Sequence, residues 1–212
     1  MNSDTLRSDE PQDAMKHYAE VADASYGAKD LSHLGYTIDP EHSNRNRTLY
    51  TNRDGKAIMS FRGTDLKSKS KYGDIGSDVL LGLGLKNLSA RFKNSRKATQ
   101  KAINTYGRDN LVLVGHSLAG SQALYNNSKF GLETHAYNPG ISPSDAIEGI
   151  KKKVFDKLTF NLFKKPVRNN ATIYHTGKED AISALSPLVM NANVKQIKKK
   201  KGNNAHAISN FF

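Results

Sequence analysis

In Leu111-Val-Leu-Val-Gly-His-Ser-Leu-Ala-Gly120 an apolar, β-branched run meets a serine between small residues, followed by a helix-forming segment. The chemistry this layout suits is acyl transfer by an activated hydroxyl. A sharp strand-to-helix turn strains the backbone at Ser117 and is expected to leave its Oγ exposed. Bulky Cβ atoms two residues before and after the serine would clash across the turn. Gly115 meets that demand. The other position holds Ala119, with Gly120 next, so the strict glycine pattern is broken while the turn stays feasible. The alternative is an ordinary buried strand followed by a glycine-containing loop.

A serine hydroxyl attacks a carbonyl when a base takes its proton and a carboxylate orients the base. On a sheet of alternating strands and helices the expected chain order is Ser, then Asp or Glu, then His. Asp180 follows a strand candidate ending at His175 by the short loop Thr176-Gly-Lys-Glu, with Glu179 as a competitor. His206 lies in the late polar loop Asn203-Asn-Ala-His-Ala-Ile-Ser. Ser117, Asp180 and His206 thus supply the three groups in order, against solvated-loop readings of the last two. His175, inside a strand, is expected to be structural. His116 is expected to support the turn, because adjacent side chains point apart. His17, His33, His42 and His135 carry no signal. The negative charge that develops on a carbonyl oxygen needs donors. The N–H of Leu118, at the start of the following helix, is one. Phe61-Arg-Gly-Thr64 offers the second: Gly63 permits close backbone approach, and Thr64 has an N–H and a hydroxyl. A plain strand-end turn is the alternative there. No His/Asp/Glu spacing suggests a metal site, and no cofactor is required.

These groups need a scaffold. Apolar positions Ala14, Met15, Tyr18, Val21 and Ala22 recur at helical spacing from Asp13. Thr48–Asn52 and Ala57–Phe61 read as strands joined by the hairpin signal Arg53-Asp54-Gly55. Asp30–Asn46, rich in turn formers, reads as loop. Ser89–Tyr106 reads as a basic helix, Leu111–Val114 as a strand, and Leu118 to about Lys129 as a helix. Glu133–Tyr137 and Ala171–His175 are further strands. The alternation implies an α/β fold with a mostly parallel central sheet flanked by helices.

The chain has 212 residues and a net charge of +12, enough length for a sizeable core in one domain over 13–212 after a polar tail at 1–12. It has no cysteine, hence no disulfide framework and no thiol nucleophile. No stretch approaches the ~20 apolar residues of a membrane span, and the start lacks a signal-peptide pattern. A cytoplasmic address is therefore expected, or host cytoplasm or virion for a viral protein. The positive charge favours anionic partners.

Taken together, Phe61-Arg-Gly-Thr, Gly115-His-Ser-Leu, His135-Ala-Tyr-Asn-Pro-Gly140, the Asp180 loop and His206 resemble class 3 lipases, in the order those enzymes carry them. The resemblance extends from about Tyr18 to the C-terminus. It implies an α/β-hydrolase fold and hydrolysis of carboxylic esters, usually of lipids. It also implies Ser117 as nucleophile, Asp180 as orienting acid, His206 as base, and Thr64 and Leu118 as oxyanion donors. Asp74 and Asp78 resemble structural acids of the family. The segment Asp65–Tyr72 falls where the family carries a lid, but it is polar and basic. With no cysteines, the chain resembles compact microbial or large-DNA-virus members more than secreted fungal ones.

The basic stretches 151–168 and 195–201 could meet an anionic membrane surface; the alternatives are an amphipathic helix packed on the sheet with a solvated basic face for the first, and a solvated loop or a nucleic-acid patch for Lys198–Lys201 of the second. Leu80-Leu-Gly-Leu-Gly-Leu85 suits core or an acyl-pocket wall. A non-catalytic, lipase-like membrane-binding or virion protein is the competing function. No nucleic-acid motif is present and aromatic content is 8%, so no sequence-specific nucleic acid is expected.

Overall fold

The computed structural model describes residues 10–63, 75–140, 168–176, 191–203 and 207–212. Among the described residues seven strands form one sheet in chain order: β1 (Thr37–Asn44), β2 (Arg47–Thr51), β3 (Ala57–Phe61), β4 (Leu111–His116), β5 (Thr134–Tyr137), β6 (Ala171–His175) and β7 (Asn193–Gln196). β1, β2 and β3 pair antiparallel, and β3 through β7 run parallel. The expected α/β class with a mostly parallel sheet is what forms.

β3 and β4 show why the parallel part is central. Ile58, Val112 and Val114 face one side, where α1 (Glu10–Ala24) contributes Ala19, Val21, Ala22 and Ala24 to the packing. Ala57, Met59, Phe61, Leu111 and Leu113 face the other side. There they meet Ala98 and Ala102 of α2 (Ile75–Tyr106) and Ala119 and Ala123 of α3 (Leu118–Phe130). Period-two alternation thus feeds two apolar layers, as a sheet covered on both faces requires. Each large side chain fully buried this way contributes about 1.5–3 kcal/mol. In α3 every residue from Leu118 to Ser128 is buried. Some of its polar groups are bonded, Asn126 Nδ2 to Ser95 Oγ (2.9 Å) and Asn127 Nδ2 to the Leu132 carbonyl (2.8 Å), whereas the Ser121 hydroxyl and the Gln122 and Asn126 amide oxygens find no partner.

Two elements differ from the expectation. Within Asp30–Asn46, expected as loop, residues 37–44 form β1. This is an edge strand with Pro40 in it, and its register is irregular between Asp39 and Asn44. A strand edge tolerates a residue without an N–H, so the turn-forming composition does not prevent pairing. α2 begins at Ile75, well before Ser89. Its first turns are apolar without helical periodicity and carry two glycines, Gly82 and Gly84, which removes the sequence signal. β7, short and largely exposed, has no apolar alternation to announce it. Lys198, Lys199, Lys200 and Lys201 beyond it face solvent. Among the described residues no helix is long and apolar enough to cross a membrane.

Candidate active site

The parallel strands all end on one rim, where open α/β sheets collect functional groups. At that rim β4 passes through Ser117 into α3. Ser117 has φ 60° and ψ −133°, a backbone conformation that L-residues avoid. The turn is held from all sides. The Ser117 N–H donates to the Tyr137 carbonyl at the end of β5 (3.0 Å). The Ser117 carbonyl accepts from the N–H groups of Gly120 (2.9 Å), Ser121 (3.3 Å) and Gly140 (3.0 Å).

Glycine is compulsory at 115. A Cβ there would stand 2.3 Å from the Ala119 carbonyl oxygen and 2.7 Å from the Gly120 nitrogen, both backbone atoms with nowhere to go. At 120 a Cβ would lie 3.1 Å from both the Gly115 carbonyl oxygen and the Pro139 Cα. Ala119 departs from the glycine pattern without harm, because its methyl is fully buried in the α2–α3 layer.

The Ser117 side chain does not stand open as the turn alone suggests. The residue is 5% exposed, because the Asn138-Pro-Gly140 segment closes over it. A Cβ added to Gly140 would lie 3.1 Å from Ser117 Oγ. That segment is tied to the next strand end. The Asn138 N–H donates to the Tyr174 carbonyl (2.8 Å), and the Thr176 N–H donates to Asn138 Oδ1 (3.0 Å).

The start of α3 presents first-turn N–H groups that lack a helical acceptor, and Leu118 supplies one of them. The helix dipole adds positive potential at the same end. On the other flank, Gly63 packs against β4. A Cβ there would be 3.0 Å from the His116 carbonyl oxygen and 2.2 Å from the Tyr26 hydroxyl. Thr64, Asp180 and His206 lie outside the described residues, as do Asp74, the flap segment 65–72 and most of 151–168. Arg168, at the end of that basic stretch, donates its N–H to Asn127 Oδ1 (2.7 Å).

Among the described histidines, His116 and His175 take the buried places the sequence suggests, with one addition. His116 is buried and shares a hydrogen bond between its Nδ1 and the Tyr26 hydroxyl (3.0 Å). It braces the turn against the segment after α1. His175 is buried at the end of β6. His135 stacks on Tyr18 (4.0 Å between ring centroids) and bonds Glu133 through Nε2 (2.9 Å). That hydrogen bond from His135, first of all, holds the Glu133 carboxyl below the usual range, while burial opposes it. The addition is His42, which sequence reasoning passed over. Its Nδ1 lies 2.5 Å from Asp39 Oδ2 and its Nε2 lies 3.2 Å from Thr105 Oγ1. An Asp three residues before a His is a weak local signal, and the third member comes from the far end of α2.

Two arginines flank the Gly63 side. Arg91 of α2 donates through Nη2 to the Arg62 carbonyl. Burial lowers its pKa; Tyr26 opposes that shift and the neighbouring Arg62 adds to it. Among the described residues no group of three or more His, Cys, Asp or Glu side chains could hold a metal ion. A cleft of about 510 Å³ lined by Tyr36, Thr51 and Arg53 opens at the other end of the sheet, away from Ser117.

No family model matches the chain, and no curated protein matches it. Solved structures similar to it include a triacylglycerol lipase from Penicillium expansum, with 16% identity and a TM-score of 0.46 over 95% of this chain and 84% of that one. A Rhizomucor miehei lipase–propeptide complex is similar at 12% identity and a TM-score of 0.46, over 98% of this chain and 77% of that one. An acetyl xylan esterase from Paenibacillus sp. R4 is similar at 11% identity and a TM-score of 0.44, over 92% of this chain and 89% of that one.

Proposed function

We propose that this chain is a serine esterase or lipase that hydrolyses carboxylic ester bonds of lipids through an acyl-enzyme on Ser117. One observation carries the reading: Ser117 holds its strained φ of 60° at the junction of a central parallel strand and the N-terminus of a buried helix. Backbone strain persists where the surroundings over-determine it, and it concentrates at functional sites.

In the proposed reaction His206 removes the Ser117 proton as Oγ attacks the ester carbonyl. Asp180 fixes the imidazole tautomer and stabilises the imidazolium. The N–H groups of Leu118 and Thr64 hold the oxyanion, and the loss of one such donor costs about 3 kcal/mol of barrier. His206 then protonates the leaving alcohol, and water repeats the sequence in reverse to release the acid.

Several contacts support the assignment of partners. His33, His42, His116 and His135 are engaged with Glu20, Asp39, Tyr26 and Glu133 respectively. Phe211, five residues beyond His206, packs its ring 5.1 Å from that of Tyr137, the residue whose carbonyl holds the Ser117 N–H. Thr176, four residues before Asp180, is bonded to the segment that covers Ser117. The lipid part of the reading rests on the ordered motifs shared with class 3 lipases.

The test is labelling of the full chain with a fluorophosphonate, with the modified peptide mapped by mass spectrometry, beside turnover of a short-chain p-nitrophenyl ester. Modification at Ser117 with ester turnover is expected. A folded protein that neither labels nor turns over would refute the enzyme and leave the non-catalytic binding reading.

A further inference from the structure

We propose that Lys195, Lys198, Lys199 and Lys201 form a docking surface for an anionic lipid bilayer on the rim that carries Ser117, and that the ester is drawn from that bilayer. The choice of substrate rests on the esterase reading above. The docking surface rests on its own observations.

The sequence isolates these cations. Residues 181–212 contain five lysines and neither Asp nor Glu. Lys198, Lys199 and Lys201 are exposed, and Lys195 is half-buried with its Nζ over the Tyr174 ring (5.7 Å to the centroid). Among the described residues the lysine ion pairs engage Lys29 and Lys101 and none of these. Lys199 Nζ donates to the Asn203 carbonyl (3.0 Å), which orders the side chain without cancelling its charge.

Strand register carries the cations to the site. His116 pairs with Tyr137, Tyr137 with Tyr174, and Tyr174 with Lys195. Lys195 is thus level with the residue before Ser117, three strand spacings or about 14 Å to its side. The chain stays paired through Ile197, whose N–H donates to the His175 carbonyl (2.8 Å), and then leaves the sheet at the Ser117 rim. The lysine loop is tied down there. Asn210 Oδ1 accepts from the Lys200 N–H (3.1 Å) and from Asn203 Nδ2 (3.2 Å). The next residue, Phe211, packs on Tyr137.

The surface beside the lysines selects a bilayer over a nucleic acid. Of the three large apolar residues exposed among the described ones, two border this loop: Val194 (42%) and Phe212 (39%). At a bilayer such side chains enter the interface while the cations meet the headgroups. A phosphate backbone offers them nothing comparable. Exposed charges are screened beyond about 8 Å at physiological salt, so the lysines act on a surface that touches this rim.

The test uses the full chain carrying Ser117→Ala, so that no lipid is consumed, and sedimentation with vesicles. Binding to phosphatidylcholine–phosphatidylserine vesicles that falls with salt is expected, with little binding to phosphatidylcholine alone. Each lysine is worth about fivefold, so Lys198→Gln, Lys199→Gln and Lys201→Gln together should weaken binding about 100-fold. Arginine at the same three positions should hold it within about threefold. Val194→Ser with Phe212→Ser should weaken it about tenfold. Equal binding to neutral and anionic vesicles would overturn the proposal, as would binding unchanged by the three glutamines. Tighter binding to duplex DNA than to the mixed vesicles at equal salt would also overturn it and mark a nucleic-acid surface. Should the glutamine protein fail to fold, the lysines are changed singly. A fivefold loss for each is then expected, and no loss overturns the proposal. With Ser117 restored and vesicles below saturation, a fluorogenic acylglycerol should be cleaved about tenfold faster or more in mixed than in neutral vesicles. Equal rates overturn the choice of substrate. A chain that docks but neither labels at Ser117 nor turns over ester sinks the esterase reading and that choice, while the docking surface stands. Labelling and turnover without docking sink the docking surface alone.

Discussion

Two hydroxyls in this molecule invite the same description, and the backbone beneath them separates them. Thr105 Oγ1 lies 3.2 Å from His42 Nε2, and His42 Nδ1 lies 2.5 Å from Asp39, so hydroxyl, imidazole and carboxylate stand in line. Yet Thr105 belongs to the last turn of α2, where its hydroxyl also reaches the Lys101 carbonyl (3.3 Å). Helix C-termini present unpaired carbonyls and negative potential, which would repel a developing oxyanion. Asp39 is further bonded by the Tyr106 hydroxyl (2.6 Å) and the Glu41 N–H (2.8 Å), which makes the group a pin between β1 and α2. Ser117 stands at the opposite pole of a helix, on a strained turn with donor N–H groups beside it. Under the proposed function, three side chains in line count for less than one hydroxyl placed on the right backbone dipoles.

The sharpest way to break this contrast is a pair of variants. Ser117→Ala should lower ester turnover by about 10⁴–10⁶-fold, whereas Thr105→Val should leave it within about twofold. Equal effects would erase the distinction. Next comes the turn itself. Gly115→Ala forces a Cβ to 2.3 Å from the Ala119 carbonyl oxygen, and should cost about 3 kcal/mol as read by the urea midpoint. A variant as stable as wild type would mean the turn is not as tight as its contacts make it. For the pin, His42→Ala should cost about 1–3 kcal/mol of stability with ester turnover unchanged. A fall in kcat at full folding would give that cluster a role in the reaction.

The smallest effect is in acid. Burial pushes the Asp39 carboxyl up, but hydrogen bonds from Tyr106, His42 and the Glu41 and His42 N–H groups outweigh it and hold it below its ordinary value. A depressed carboxyl contributes stability that is complete above its unfolded value of about 4. That contribution is lost as pH falls through the lower folded value. Asp39→Asn should flatten this part of the acid limb below about pH 5. An acid limb as steep as that of wild type would show that Asp39 does not generate it.

Much of this architecture was legible because it is local. β3, β4 and α3 carry their alternation and turn residues in consecutive positions, and Gly115 announces the turn that Ser117 occupies. β1 was not legible, since an edge strand can hold Pro40 and polar residues without losing its pairing. The first turns of α2 were hidden because their apolar residues have no helical spacing in the sequence and are interrupted by Gly82 and Gly84. Of the candidate site, Ser117 and Leu118 could be placed by motif. The closure of Gly140 over the serine, the turn of His116 toward Tyr26, and the His42 pin had no local signature.

The amino-acid sequence by itself determined where a strand must break into a helix at a serine, because backbone strain and small-residue spacing are written into neighbouring positions. The tertiary structure alone decided what surrounds that serine. It brought Gly140 over the hydroxyl and Arg91 onto the Arg62 carbonyl. Contacts between segments distant in the chain depend on how helices pack across a twisted sheet, and no short stretch of sequence contains that information.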